Sequence, residues 1–252
     1  MDFAIGIPSY RRADRQPTVE YLSRCGVPRD LVHLQTQTEE DYAAYSERWG
    51  RLATVRFAPA TSAAGNRNNL VATLNLTTRR VLLMDDDVAR VMVLRKEGER
   101  KNGGGSVDAG SGFLRIAERL FAECDRRGAD LFGAYPYENP YFQRNRASLN
   151  RLCVGCFMGL NRRGLRFDEK IGVKDDWELC CRLISRGRKT LRFDYVSVVT
   201  EYGTVGGGCK PLYDGGQGRL AVKTLLERYP GLLKRGRNDT EVQLKRTCGG
   251  KA

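Results

Sequence analysis

The chain has almost no histidine: His33 is the single one among 252 residues. A zinc site completed by several imidazoles is therefore excluded. Cys153-x-x-Cys156 has no second C-x-x-C to pair with, so the eight cysteines are expected as reduced, mostly buried thiols, with a structural zinc as the lesser alternative. Long hydrophobic runs are missing too. No stretch approaches the roughly 20 apolar residues of a membrane helix, and no membrane partner is expected. The opening MDFAIGIPSYRR lacks the basic region that precedes the apolar core of a secretory leader. The expectation is a cytoplasmic monomer, in the host cytoplasm if a phage encodes it. Internal repeats are absent.

Charge is present in excess and unevenly. Residues 1–125 hold 18 Lys/Arg against 17 Asp/Glu, whereas residues 126–252 hold 25 against 13, so nearly all of the net +13 belongs to the second half. A one-sided basic surface concentrates polyanions, because neutralising phosphates releases their condensed counterions. The plainer reading is an arginine-rich face that only keeps the protein in solution.

Along the chain, Phe3–Ile7 is a short apolar strand stopped by Pro8. A helix follows over 17–24, a strand over 31–35, a helix over 39–50 and a strand over 53–58. Gly65-Asn66-Arg67-Asn68-Asn69 opens a third helix, and Val81–Met84 is a fourth strand. This βαβαβαβ order predicts an open, mostly parallel twisted sheet of the α/β class, with helices on both faces. In such sheets ligands bind beyond the carboxyl ends of the strands, where the loops after Ile7 and Met84 lie. Residues 96–112 are Gly-rich and read as a flexible loop. A helix from Phe113, strands over 131–135 and 154–160, a helix over 175–186 ended by Gly187, a strand over 190–200 and a helix over 219–228 complete the pattern. One domain is expected: a first half (1–95), an acceptor-side half (113–233) and a basic tail (234–252).

The fourth strand runs straight into Asp85-Asp86-Asp87. Three like charges repel, and a divalent cation between them relieves the repulsion; Mg²⁺ or Mn²⁺ commonly binds through one or two carboxylates plus phosphate oxygens. A solvated acidic turn, or aspartates capping a helix, is the plainer alternative. A second acidic group, Asp175-Asp176-Trp177-Glu178, precedes an apolar-periodic helix. Asp175 and Glu178 have the spacing of a capping box, which leaves Asp176 unexplained. Tyr137, Tyr141, Phe142, Arg144 and Arg146 interleave aromatics and cations as base-stacking surfaces do, although packing of Tyr-Pro segments gives a similar composition. Arg188 is grouped with them as a candidate backbone contact. Gly206–Lys210 offers backbone amides and one cation suited to phosphates.

An N-terminal strand ending in Ile-Pro-Ser-Tyr, the GNRNNL helix start, LLMDDDV, VGCFMG over 154–159 and KDDWELCCRLISRGRKTLRFD over 174–194 follow one another in an order that resembles the TET-associated glycosyltransferases of phages, which have the GT-A fold. The resemblance covers most of residues 3–218. It implies a metal-dependent enzyme moving a sugar from a UDP-sugar to a 5-hydroxymethylpyrimidine, first of all 5-hydroxymethylcytosine, in double-stranded phage DNA. It further implies that residues 1–95 are the nucleotide-sugar half, and that Pro8, Ser9, Tyr10, Arg12 and Arg67 line the nucleotide site. Asn68 and Asn69 would contact the sugar-diphosphate or brace the loops, Asp85 and Asp87 would hold Mn²⁺ or Mg²⁺, Asp86 would touch ribose or sugar, and Lys210 would close on phosphates. Asp176 would be the base that activates the acceptor hydroxyl in an inverting displacement, with Asp175 its rival. The histidine that serves some GT-A enzymes as a metal ligand has no counterpart in the second half. Two-metal nucleotidyltransferases or nucleases, a glycosyltransferase with a non-DNA acceptor, and a non-catalytic DNA-binding module remain as alternatives.

Overall fold

Strands whose two faces are both covered are apolar at nearly every position, and FAIGIP (3–8) and VLLM (81–84) in the first half of this chain are such runs. In the computed structural model, which describes residues 1–95, 105–201 and 210–245, the expected alternation is present: β1 (Phe3–Pro8), α1 (Pro17–Arg24), β2 (Val32–Thr36), α2 (Glu39–Trp49), β3 (Thr54–Phe57), α3 (Ala63–Leu74) and β4 (Arg80–Met84). The second half adds β5 (Val88–Leu94), β6 (Ser106–Asp108), α4 (Phe113–Arg127), β7 (Leu131–Tyr135), β8 (Ala147–Leu149), β9 (Phe157–Leu160), α5 (Asp175–Ser185), β10 (Thr190–Thr200), α6 (Lys210–Asp214), α7 (Gln217–Arg228), β11 (Leu233–Arg235) and β12 (Val242–Leu244).

The main sheet has the order β3-β2-β1-β4-β9-β7-β10-β5-β6, with β8 against β10. Strands β3, β2, β1 and β4 are parallel neighbours. Beyond β4 the sheet is mixed: β9 lies antiparallel to β4 and β7, β10 is parallel to β7, and β5 and β6 add antiparallel. The parallel character read from the sequence thus belongs to the first four strands. β5 starts one residue after the acidic triplet and was not expected as a strand.

Alternation along β1 divides the core between two faces. Phe3, Ile5 and Ile7 meet Val19 and Leu22 of α1 and Phe121 of α4, while Ala4 faces Leu70 and Val71 of α3 and Leu179 and Leu183 of α5. A third cluster joins Cys181 of α5 to Val222 and Leu225 of α7 and to Leu233 and Val242. Residues 234–245, expected within a basic tail, therefore contribute a β-hairpin to this cluster. Among the described residues no helix is long and apolar enough to cross a membrane. Cys25, Cys124, Cys153, Cys180 and Cys181 are free and buried.

One close approach in the sheet is diagnostic. A Cβ at Gly159 in β9 would stand 2.1 Å from the Phe132 ring of β7. Gly159→Ala is expected to cost about 1–3 kcal/mol by overpacking, read as a lower urea midpoint; a parental midpoint would show that the ring has room to yield.

Candidate active site

Because β1 and β4 are parallel neighbours, their carboxyl ends bring the loop after Pro8 beside the acidic triplet. The turn is fixed through its backbone. Thr18 at the start of α1 donates its hydroxyl to the Asp85 carbonyl (2.6 Å) and accepts from the Val88 N–H (2.8 Å). The Asp85 N–H donates to the Cys156 carbonyl (3.3 Å), and the Glu201 N–H to the Asp87 carbonyl (2.9 Å).

The three carboxylates have different surroundings. Asp86 is buried, ion-paired with Arg12 and hydrogen-bonded by the Ser9 hydroxyl. Burial raises its carboxyl, while Arg12 and Ser9 oppose the rise. Ser9 spends its one proton on Asp86 and accepts from Gln16 Nε2 (2.9 Å) and the Tyr45 hydroxyl (2.8 Å); Tyr45 in turn accepts from the Arg12 N–H (2.8 Å). Asp86, expected at ribose or sugar, is the buried counter-ion of Arg12, and Arg12 and Ser9 point their polar groups into this network. Tyr10 stacks under the Arg11 guanidinium (4.9 Å), next to the half-buried end of β1 at Pro8.

Asp87 has Arg12 at 3.6 Å and, among the described residues, no closer cation. Burial, then Asp85 and Asp86, push its carboxyl up to about 7. Asp85 keeps 34% of its side chain exposed and pairs with Arg67 Nη2 at 2.9 Å. Among the described residues no three His, Cys, Asp or Glu side chains are arranged to hold a metal ion. The chain thus supplies two carboxylates, Asp85 and Asp87, at a spot with surplus negative charge. That set fits a Mg²⁺ or Mn²⁺ ion whose remaining positions belong to phosphate and water oxygens. It does not fit a closed, all-protein metal cage.

Arg67 links the two acidic groups. Its Nη1 donates to both carboxylate oxygens of Asp175 (2.8 and 2.7 Å) while Nη2 holds Asp85. Burial works against the charge, and Asp175 and then Asp85 outweigh it, keeping the guanidinium well above its usual value. The capping box over 175–178 does not form. Lys174 precedes the helix in the left-handed region (φ 63°), and no side chain caps the end. Asp175 turns to Arg67, and Glu178 pairs with Arg182 (3.2 Å) and accepts from the Tyr229 hydroxyl (2.8 Å). Asp176 accepts from the Gly155 N–H (2.7 Å) and from the Trp177 N–H (2.8 Å). Burial and then Asp175 raise its carboxyl to about 6, with Arg67 and the two N–H groups opposing.

The remaining candidates separate. Asn68 braces the loop after Leu165 by accepting from the Phe167 N–H (2.8 Å) and donating to its carbonyl (3.0 Å), and Asn69 donates to the Pro59 carbonyl (2.9 Å). Tyr137, Tyr141 and Phe142 are exposed on the loop that follows β7. Arg144 is folded back onto the Tyr141 and Gln143 carbonyls, and Arg146 pairs with Asp194 (3.1 Å). Arg188 does not join them. It sits before β10, whose first residue is level with the first residue of β7, so it lies at the opposite edge of the sheet, paired with Asp130. Gly206–Cys209 lie outside the described residues, and of Lys210 the structure describes only the backbone. The residues that the sequence did not single out are Gln16, Thr18 and Tyr45, of which Thr18 and Tyr45 reach the site from segments distant in sequence.

The sequence matches a family model described as TET-Associated Glycosyltransferase over residues 3–208. No curated protein matches it. Among solved structures, glucosyl-3-phosphoglycerate synthase from Mycobacterium tuberculosis is similar in its complex with phosphoglyceric acid (13% identity, TM-score 0.54, covering 96% of this chain and 86% of that one). The same enzyme in complex with Mn²⁺, UDP and glucosyl-3-phosphoglycerate is similar at 12% identity and a TM-score of 0.52, with the same coverage. S. aureus TarS 1–349 is similar at 12% identity and a TM-score of 0.52, covering 90% of this chain. The chain spans 66% of that TarS structure's length. At these identities the likeness shows the fold, the GT-A arrangement expected from the sequence.

Proposed function

Since the chain belongs to the TET-associated glycosyltransferase family, we propose that it transfers a hexosyl unit from a UDP-sugar to the hydroxyl of a 5-hydroxymethylpyrimidine in DNA, with 5-hydroxymethylcytosine as the first candidate. The observation that supports this reading best is the unequal fate of two adjacent carboxylates. Asp175 is neutralised by two contacts to Arg67, whereas Asp176 keeps a carboxyl raised to about 6. A carboxyl near 6 is ionised at neutral pH and still basic enough to share a proton in a transition state.

Asp176 would take the proton of the acceptor hydroxyl as its oxygen attacks the anomeric carbon. The bond from that carbon to the diphosphate breaks on the opposite face, so the sugar configuration inverts. Asp85 and Asp87 would hold the Mn²⁺ or Mg²⁺ ion, which supplies positive charge against the departing UDP. Arg67 fixes the spacing between the donor-side and acceptor-side carboxylates. The target base must leave the duplex stack to present its hydroxyl, and the basic second half would hold the flanking phosphates. The reaction belongs where phage DNA meets nucleotide sugars, the host cytoplasm.

Intact-mass analysis of hydroxymethylated oligonucleotides, incubated with mixed UDP-sugars and Mn²⁺, tests the reading. A mass gain of one sugar supports it; strand scission or pyrophosphate release in its place would point to nucleotidyl or nuclease chemistry. Asp87→Asn is expected to remove metal-dependent turnover by at least roughly a hundredfold and to weaken Mn²⁺ binding in calorimetry. Undiminished Mn²⁺ affinity would take Asp87 out of the metal site.

A further inference from the structure

The loop between β7 and β8 leaves the sheet at the edge of the carboxylates. Phe157 of β9 is level with Met84 of β4, and its neighbour Met158 with Gly133 of β7. β4 and β7 therefore end at one edge with β9 between them, roughly 10 Å apart. The face is fixed as well. Phe132 and Ala134 share a core cluster with Phe121 of α4, whereas Leu131 packs with Leu179 and Cys180 of α5, so Tyr135 falls on the α5 side. There Cys153 lies so close to Gly133 that a Cβ on the glycine would stand 2.5 Å from that of Cys153. Two residues beyond Cys153, Gly155 donates to Asp176; two residues beyond Gly133 comes Tyr135.

Tyr135 begins a short aromatic series. The Arg192 guanidinium lies over its ring at 5.0 Å, and the ring meets that of Tyr137 edge to face at 6.0 Å. Tyr141 and Phe142 form a second edge-to-face pair at 5.2 Å. Tyr137, Tyr141 and Phe142 keep 61%, 78% and 54% of their surface exposed. An edge-to-face partner covers at most one face of a ring, which leaves these rings a face open to solvent. The loop that carries them is nevertheless held from inside. Gln143 is fully buried, with Nε2 within hydrogen-bond distance of the Tyr137 and Glu138 carbonyls (3.3 and 3.2 Å) and of the Ser197 hydroxyl (2.7 Å). The Phe142 N–H donates to the Asn139 carbonyl (3.2 Å), and the Arg144 N–H to the Asp194 carbonyl (3.1 Å).

Rings displayed on a fixed backbone lose little freedom when a ligand stacks on them. An apolar patch exposed in this way marks a contact surface. The charge around it points to the partner. Arg90, Arg144, Arg146 and Arg192 stand about the loop against two carboxylates, Glu138 and Asp194. Open aromatic faces beside surplus cations suit a single-stranded nucleic acid, whose bases stack while its phosphates meet the guanidiniums.

We infer that this loop stacks unpaired bases flanking the target nucleotide, so that the acceptor is a locally opened or single-stranded stretch of DNA. The inference rests on the proposed DNA-directed activity. Tyr137, backed by Tyr135 and Arg192, takes a base beside the target, and Tyr141 with Phe142 offers a second stacking position. Extruding a base from a duplex costs stacking with its neighbours, and the rings restore part of it.

Anisotropy titrations with labelled oligonucleotides test this without turnover. A single strand carrying hydroxymethylcytosine should bind the parent more tightly than the same sequence in a duplex. Tyr137→Ala and Tyr141→Ala should each weaken single-strand binding roughly tenfold, while Tyr137→Trp and Tyr141→Phe keep it. Stacking is not screened by salt, so this loss should persist at high ionic strength even as overall affinity falls. Both rings are exposed, so melting temperatures should stay parental. Abasic sites on both sides of the target should weaken binding to the parent by a similar factor and leave Tyr137→Ala little further to lose. Parental affinity in both alanine variants would assign the rings to a protein partner and overturn the inference. Equal binding of intact and abasic-flanked strands, or tighter binding of the duplex, would overturn it too. The stacking loop and the activity fail separately. Sugar transfer to DNA with an unchanged KM for DNA in Tyr137→Ala removes the loop and keeps the activity; weakened single-strand binding by that variant, with no sugar transfer by the parent, does the reverse.

Discussion

Asp176→Asn is expected to lower turnover by about 10²–10⁴-fold, the range for loss of a positioned general base, and at the same time to stabilise the fold. The two effects have one cause. The folded carboxyl titrates near 6, above the roughly 4 of an unfolded aspartate. The native state therefore holds this proton more tightly than the unfolded state, and the group's contribution to stability is lost as pH rises from about 4 through 6. At pH 7 the ionised side chain is a burden that asparagine does not carry. Asparagine keeps only one of the two acceptor oxygens that meet Gly155 and Trp177, so the expected net gain is on the order of 1–2 kcal/mol, a rise in melting temperature of a few degrees. In the parent with saturating Mn²⁺, which holds Asp87 ionised, kcat/KM should fall as pH drops through about 6. The groups that set this limb are Asp175 beside Asp176, Arg67 from α3, and the preceding Lys174. An active Asp176→Asn enzyme, or one less stable than the parent, would contradict the assignment.

Arg67→Met is expected to have the largest effect on stability. The side chains of Arg67 and Asp175 are 12% and 6% exposed, and Asp85 shares the same guanidinium. Removing the cation strands two carboxylates, and breaking a buried pair in this way costs about 3–5 kcal/mol. That is a large share of the roughly 5–15 kcal/mol that holds a typical domain folded. Urea unfolding should show a much lower midpoint, partly restored when Asp175→Asn is added. The acid limb of any residual activity should move above 6, because Arg67 is the neighbouring charge that lowers the Asp176 carboxyl. A parental midpoint would mean that water replaces the guanidinium at little cost. Arg67→Lys should rescue only in part, since an ammonium does not reproduce the fork that spans Asp85 and Asp175.

The sequence was most informative where a local pattern carries the information. Two of the four parallel strands, β1 and β4, are nearly continuous apolar runs, and the acidic triplet stands where the second of them ends, as the sequence alone places it. It was least informative where a side chain has a choice of partner. Asp175 and Glu178 have capping-box spacing, and an arginine 108 positions away decides the matter. Nothing near Asp86 in sequence shows that Arg12 and Ser9 converge on it. Arg188 looked like a member of the aromatic–basic surface because the parallel pairing of β10 with β7, which puts it at the other end of those strands, leaves no trace in local composition. β5 was hidden for a simpler reason: no turn residue separates it from the triplet.

That missing separation has a consequence for how this protein can vary. The tripeptide 85–87 is the entire link between β4 and β5, two strands far apart in the order of the sheet, and both ends of it are tied by hydrogen bonds. Such a link has no slack to absorb a length change. Deleting or inserting one residue there would slide β5 by a single position, turning Arg90 and Met92 inward and Val91 to the solvent. A three-residue link thus ties the register of β5 to the carboxylates proposed to hold the metal. The segment's length is therefore held as firmly as its residues.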